Sequence, residues 1–254
     1  MLSLTRHRCP PDMAKFEWKS VEEVKTIGEG AYGKVSIYKS KEHGNVAIKV
    51  LSQACSLYRK EFLKEAILLQ SLSHPNIVKF IAYSSTRRDA LMMEYVGFDC
   101  AAIFNEVDMT IHSLAGLLRD LDEYDFELCS HLHYFVAKGL ISGLTYLHSQ
   151  DVAHRDLKTG NVLVSNQHYA SVKSDKSFNA AWEHNPLVVK LTDFGESRSR
   201  FIQTTTIAGS RTDDLYRGST PYMAPEILQC TRGSTKAIRA VTMEELKKMG
   251  HITC

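Results

Sequence analysis

The stretch His154-Arg155-Asp156-Leu157-Lys158-Thr159-Gly160-Asn161 puts an acid, a cation and an amide into one short segment, directly before the β-prone run Val162-Leu163-Val164. Further along, Asp193-Phe194-Gly195 supplies a second carboxylate beside a glycine. Two carboxylates and an amide could hold metal ions and orient a hydroxyl beside a phosphate, so the chemistry they suggest is phosphoryl transfer. Taken singly, the first stretch also fits a polar turn leading into a strand.

Upstream, Val24-Lys25-Thr26-Ile27, Val35-Ser36-Ile37-Tyr38 and Val46-Ala47-Ile48-Lys49-Val50 read as short strands. Between the first two lies Gly28-Glu29-Gly30-Ala31-Tyr32-Gly33-Lys34-Val35. Glycines at this spacing let a turn approach phosphate oxygens and offer backbone N–H groups, because no Cβ blocks the approach. A dinucleotide-binding fingerprint would require a helix after the third glycine, and here a strand follows. An ordinary glycine-containing turn fits the same residues.

Lys49 lies on a strand whose other residues read as buried on both faces, so its charge needs a partner, either nucleotide phosphates or a carboxylate from the next element. Tyr58 to Leu72 has helical spacing, with Phe62, Leu63, Ala66, Leu69 and Leu72 forming an apolar stripe before Ser73-His74-Pro75-Asn76 ends it. Ala90 to Val96 reads as a buried strand running out into a connector, and Cys100 to His112 as irregular. From Leu128 to His148, the residues Leu132, Val136, Leu140, Leu144 and Leu147 predict a long helix. His131, His133 and His148 on it lack a Cys or Asp at ligand spacing, which favours solvent-facing or capping roles.

The glycine loop, strand lysine, helix carboxylate, Asp156 loop, Asp193-Phe194-Gly195 and Ala224-Pro225-Glu226 occur in an order that resembles the eukaryotic protein kinase catalytic domain, over roughly residues 20 to 230. The resemblance implies a two-lobed α+β fold. A leader at 1–17 precedes a small antiparallel sheet with one helix at 18–93, a hinge at 94–97, and a mainly helical lobe at 98–254. It also implies ATP and Mg²⁺ as cofactors. Ile27, Gly28, Glu29, Gly30, Gly33, Val35, Ala47, Met93 and Leu163 would surround the nucleotide, with hinge backbone from Glu94 and Val96 on the adenine. Lys49, paired with Glu65, would hold the α and β phosphates. Asp156 would orient the substrate hydroxyl, Lys158 steady the γ-phosphate, and Asn161 and Asp193 ligate metal. Phe194 would pack beneath the helix carrying Glu65, and Arg155 would meet a phosphorylated residue of the activation segment.

Lys158, two residues after Asp156, and Thr220, before Pro221, resemble the serine/threonine pattern, and Asp193-Phe194-Gly195-Glu196-Ser197 resembles the tyrosine-kinase-like branch. The resemblance fails at two places. Ser165 to Leu187 reads as a polar surface insertion between two strands that otherwise form a short hairpin. Only 28 residues follow Glu226, including a charged helix around Met243 to Met249, so the second lobe is expected to be incomplete and to expose an apolar patch. An active kinase is therefore weighed against a nucleotide-binding but inactive fragment or scaffold, and against a structural module without a nucleotide site.

Composition narrows the partners. With 31 basic and 29 acidic residues the formal charge is +2, giving no field that would favour nucleic acid or an anionic membrane. The six cysteines show none of the close pairs of zinc or redox sites and read as reduced thiols in a cytoplasmic protein. No run approaches the roughly 20 apolar residues that span a bilayer. The expected partners are a protein substrate carrying a Ser or Thr hydroxyl and an activating kinase or stabilising partner. Thr204, Thr205, Thr206, Ser210 and Thr212 are candidate phosphoacceptors that would order the activation segment through Arg155. Replacing all five with alanine is expected to lower phosphotransfer, and unchanged activity in that variant would refute the assignment.

Overall fold

The computed structural model describes residues 10–30, 33–52, 56–102, 109–124, 130–169, 172, 175–199 and 219–222. The five candidate phosphoacceptors, Ala224-Pro225-Glu226 and the helix expected around Met243 to Met249 lie outside the described residues, as do all cysteines except Cys100.

The N-terminal half contains β1 (Val21–Gly30), β2 (Gly33–Ser40), β3 (Gly44–Leu51), α1 (Ser56–Ser71), β4 (Phe80–Ser84) and β5 (Ala90–Glu94). The strands form one antiparallel sheet in the order β1-β2-β3-β5-β4. β3 is central and buried on both faces, which explains its unbroken apolar run. Val46, Ile48 and Val50 face outward into a cluster with Phe16, Tyr38, Ala82 and Met92. Leu51 joins Phe62, Ala66 and Leu69 of α1 with Leu91 and Met93 on the inner side. At Gly33 any Cβ would overlap the Val50 carbonyl oxygen, so the close approach of β2 to β3 requires glycine there.

The leader expected over residues 1–17 is corrected for the part described. Tyr83 donates its N–H to the Ala14 carbonyl at 2.8 Å, and Phe16 donates to the Tyr83 carbonyl at 3.2 Å. Met13 and Phe16 are buried. Phe16 meets Trp18 edge-on at 5.5 Å, and Trp18 meets Tyr38 at 6.1 Å. These residues satisfy the open edge of β4 and seal the outer face of the sheet.

The C-terminal half contains β6 (Phe98–Asp99), β7 (Thr110–Ile111), α2 (Leu114–Tyr124), α3 (Ser130–Ser149), β8 (Val152–Ala153), β9 (Val162–Ser165), α4 (Asp175–His184), β10 (Val188–Leu191) and β11 (Arg198–Ser199). β9 pairs with β10, β8 with β11 and β6 with β7, all antiparallel. α3 packs on β10, and a Cβ at Gly139 would overlap the Val189 side chain. α2 begins at a Ser113 cap, whose Oγ accepts the Gly116 N–H at 3.3 Å.

The segment 165–187, expected as a polar surface insertion, is more ordered and better anchored than its composition suggests. It carries α4, and Asn166, Tyr169 and Leu187 are buried. The Tyr169 hydroxyl donates to the Pro186 carbonyl at 2.5 Å, its ring meets Phe178 at 5.4 Å, and Trp182 packs against the core. Asn166 bonds both backbone groups of Asp99, at 2.8 and 2.9 Å. A few apolar anchors spaced among polar residues bind the segment to the lower lobe.

The two halves are stitched through β10. Asn76 donates its side-chain amide to the Val189 carbonyl at 2.9 Å and accepts the Leu191 N–H at 2.8 Å through its own carbonyl. Glu94, at the end of β5, pairs with Lys190 at 2.8 Å. Among the described residues no helix is long and apolar enough to cross a membrane. Removing the Phe16 ring, as in Phe16→Ala, is expected to cost about 2–4 kcal/mol in urea unfolding; an unchanged midpoint would contradict the packing role given to the leader.

Candidate active site

A cleft of about 620 Å³ separates the sheet from the lower lobe. Its roof contains Ile27, Gly28, Glu29, Gly33, Val35 and Ala47, its back Met93, Glu94 and Val96, and its floor Leu163. Nothing lies within 4 Å of where a Cβ at Gly28 would sit, so the roof is open at that point.

Strand alternation puts Lys49 on the inner face of β3 with Ala47, directly over α1. Its Nζ donates to both Glu65 oxygens, at 2.8 and 2.9 Å, and to Asp193 Oδ1 at 2.8 Å. Lys49 is 9% and Glu65 5% exposed, so neither charge is stable there without the other. Burial acts against the Lys49 charge, yet the two carboxylates outweigh it and hold its pKa above the ordinary value. Burial raises Glu65, and the nearby Asp193 charge adds to that against the pull of Lys49. Asp193 is held low by Lys49, which overcomes its burial.

Asp193 reaches this point because its backbone is left-handed, with φ 63° and ψ 74°, a conformation Asp tolerates better than most residues. Phe194 is buried behind it, and the turn it begins packs on α1. His154 supports both segments. Its Nε2–H donates to the Thr192 carbonyl at 2.9 Å, its ring lies 5.0 Å from Phe194, and its carbonyl accepts the Ser197 hydroxyl at 3.0 Å. Burial lowers its pKa, so the imidazole is a neutral strut.

A second cluster faces the first. Asp156 Oδ2 accepts from Lys158 Nζ at 2.7 Å and Asn161 Nδ2 at 2.9 Å, while Oδ1 accepts the Ser219 N–H at 2.8 Å. Burial opposes ionisation of Asp156, but its bonds to Lys158 and Ser219 prevail and its pKa is lowered. Asn161 also donates to the Asp156 carbonyl at 2.8 Å. With the Nδ2 hydrogens committed to Asp156, the amide oxygen is left as the acceptor of that side chain. This oxygen and the Asp193 carboxylate are two hard donors that line the cleft. They suit an Mg²⁺ ion that takes its remaining ligands from phosphate and water. Among the described residues no group of three or more His, Cys, Asp or Glu could hold a metal by itself.

The sequence pattern points to Thr220 and gives no sign of its neighbour Ser219. The structure puts Ser219 Oγ 2.8 Å from Lys158 Nζ, a contact with no local signature because the two residues lie 61 positions apart. His112, Ser113, Thr192 and Glu196 also line the cleft. At the hinge, the Glu94 N–H is committed to the Lys79 carbonyl at 3.0 Å and the Val96 carbonyl to His112 at 3.2 Å, so those two backbone groups already have protein partners.

Residues 21–238 match the protein kinase domain. The chain belongs to this family. Among curated relatives, it is 26% identical over 235 residues to the cAMP-dependent protein kinase catalytic subunit of Dictyostelium discoideum, covering 90% of this chain and 29% of that protein. It is 28% identical over 221 residues to a protein of Acanthamoeba polyphaga mimivirus named provisionally as a serine/threonine-protein kinase/receptor, covering 84% of this chain and 11% of the other. The chain thus spans less than a third of the length of either relative. Within the kinase domain, Lys49→Met should destabilise the fold by about 3 kcal/mol by stranding the Glu65 charge, and Lys49→Met/Glu65→Leu should recover most of the loss. Equal stability of wild type and single variant in chemical denaturation would contradict the pairing energetics.

Proposed function

We propose that the chain is an Mg²⁺-dependent protein serine/threonine kinase that transfers the γ-phosphate of ATP to a protein hydroxyl. The observation that carries this reading is the meeting of the Lys49-Glu65-Asp193 and Asp156-Lys158-Asn161 clusters across one cleft. Val35, Ala47, Met93 and Leu163 give the apolar walls a base needs, beside the connector Glu94 to Val96. Lys49, fixed by Glu65, places an ammonium for the α and β phosphates. Asp193 and Asn161 would hold Mg²⁺, which when bound would neutralise phosphate charge. Asp156, kept ionised, would orient the attacking hydroxyl and accept its proton, and Lys158 would steady the transferring group.

The serine/threonine assignment rests on Lys158 beside Asp156 and on Ser219 completing that pair. The name given to the mimivirus relative agrees with it. We assign the protein to the cytoplasm, in keeping with the free, buried Cys100 thiol. Its partners would be a protein substrate and an activating kinase or stabilising protein. Mg²⁺-ATP is expected to raise the melting temperature, and Asp156→Asn to lower kcat for γ-phosphate transfer at least about 100-fold. Stabilisation without transfer in the wild type would instead support a nucleotide-binding scaffold, and no stabilisation would remove the nucleotide reading altogether.

A further inference from the structure

A second cleft, of about 510 Å³, opens over the outer face of the sheet, between the β1–β2 hairpin and the turn that joins β4 to β5. Tyr38 and Val50, both buried on that face, form its floor. Four cations and three carboxylates line it. Two of the cations are committed. Lys34 Nζ donates to Glu23 Oε1 at 2.9 Å, an oxygen that also accepts the Ser36 hydroxyl at 2.8 Å. Arg59 Nε–H donates to Asp89 Oδ2 at 2.7 Å, and the Tyr83 hydroxyl donates to Oδ1 at 2.7 Å. Arg87 and Arg88 are exposed in the turn, and among the described residues neither has a carboxylate within ion-pair distance. The Arg88 charge is felt at the Tyr38 hydroxyl, where it opposes the rise in pKa that burial and Glu23 cause, so this guanidinium lies near the floor of the cleft.

Glu29 is the remaining carboxylate, and it is the one residue whose side of the hairpin also lines the nucleotide cleft. Two guanidiniums against one carboxylate leave a surplus of one positive charge. That surplus suits a single compact anion. A nucleic acid or an anionic lipid surface would bring further negative charges against Glu23, Glu29 and Asp89. A phosphomonoester carries a charge of about −1.5 to −2 at pH 7 on three acceptor oxygens, which neighbouring guanidinium forks can share. Protein kinases make such esters on protein side chains, so phosphorylated segments are the anions this family generates. We propose that the outer cleft is a docking site for a phosphoserine or phosphothreonine segment of a protein partner, its phosphate held by Arg87 and Arg88. With Glu29 alone shared, the inference stands apart from the phosphotransfer reading of the lower cleft.

The test measures equilibrium binding to the whole chain of a short alanine-rich peptide carrying one phosphoserine, of its unphosphorylated form and of a short oligothymidylate. Wild type is expected to bind the phosphorylated peptide about ten- to a hundredfold more tightly than the plain one, the worth of hydrogen bonds to a charged group. Arg87→Gln/Arg88→Gln, altered only at exposed turn positions, is expected to melt at the wild-type temperature and to bind the two peptides alike. A wild type that binds both peptides equally, or neither at millimolar concentration, overturns the proposal without any variant. A preference that persists in the variant overturns it too, because the phosphate then sits elsewhere. Tighter binding of the oligothymidylate than of the phosphopeptide, lost in the same variant, would make the cleft a polyanion site and equally overturn it.

Discussion

One ammonium shared by two carboxylates sets the geometry of this molecule. Lys49 cannot be buried in the centre of a sheet as a lone charge, nor can Glu65 on the helix beneath it. Each makes the other tolerable, and Asp193 joins from a segment 144 residues along the chain from Lys49. The upper sheet, α1 and the lower-lobe turn are therefore registered on a single point. A buried ion pair adds little net stability over packed hydrophobic residues, so the trio makes most sense where anionic phosphates are to be received. Asp193, the most exposed of the three side chains, is the one able to exchange Lys49 for another cation.

β10 is the frame on which that point is hung. It takes Asn76 from the turn that follows α1, the close approach of α3 at Gly139 and the β9 pairing that follows the Asp156 loop. Thr192, its next residue, accepts from His154 and donates its N–H to the Asn161 carbonyl at 3.0 Å. The two catalytic-type clusters thus hang from consecutive residues at one end of a short strand. Their separation is governed by backbone rather than by flexible side chains.

What could be read in the sequence was what chemistry confines to a few neighbouring residues. The glycine loop, Lys49, the Asp156 loop and Asp193 each carry a local requirement that restricts residue type. Strands β2, β3 and β5 and helices α1 and α3 showed in their spacing, because each is either buried throughout or striped, whereas the largely exposed β1 showed only through its β-prone run Val24 to Ile27. β4 is five residues long and shows no alternation. α2 carries only a short helical signal, in Leu114, Leu117 and Leu118. Met13, Phe16 and Trp18 have no period, because they cover an edge rather than forming part of a sheet. In the 165–187 segment, Tyr169 and Trp182 were diluted by polar neighbours. Ser219 and His112 owe their positions to contacts with distant residues, and no window of sequence contains both partners.

The central claim is that Lys49, Glu65 and Asp193 form a seat for phosphates bridged by a divalent ion. It is tested most directly by titrating ATP onto wild type and Asp193→Asn with and without Mg²⁺. The expected result is that Mg²⁺ tightens ATP binding about tenfold or more in the wild type and that this gain disappears in the variant. An equal gain in both proteins, or none in the wild type, would show that the charges converge for some other reason.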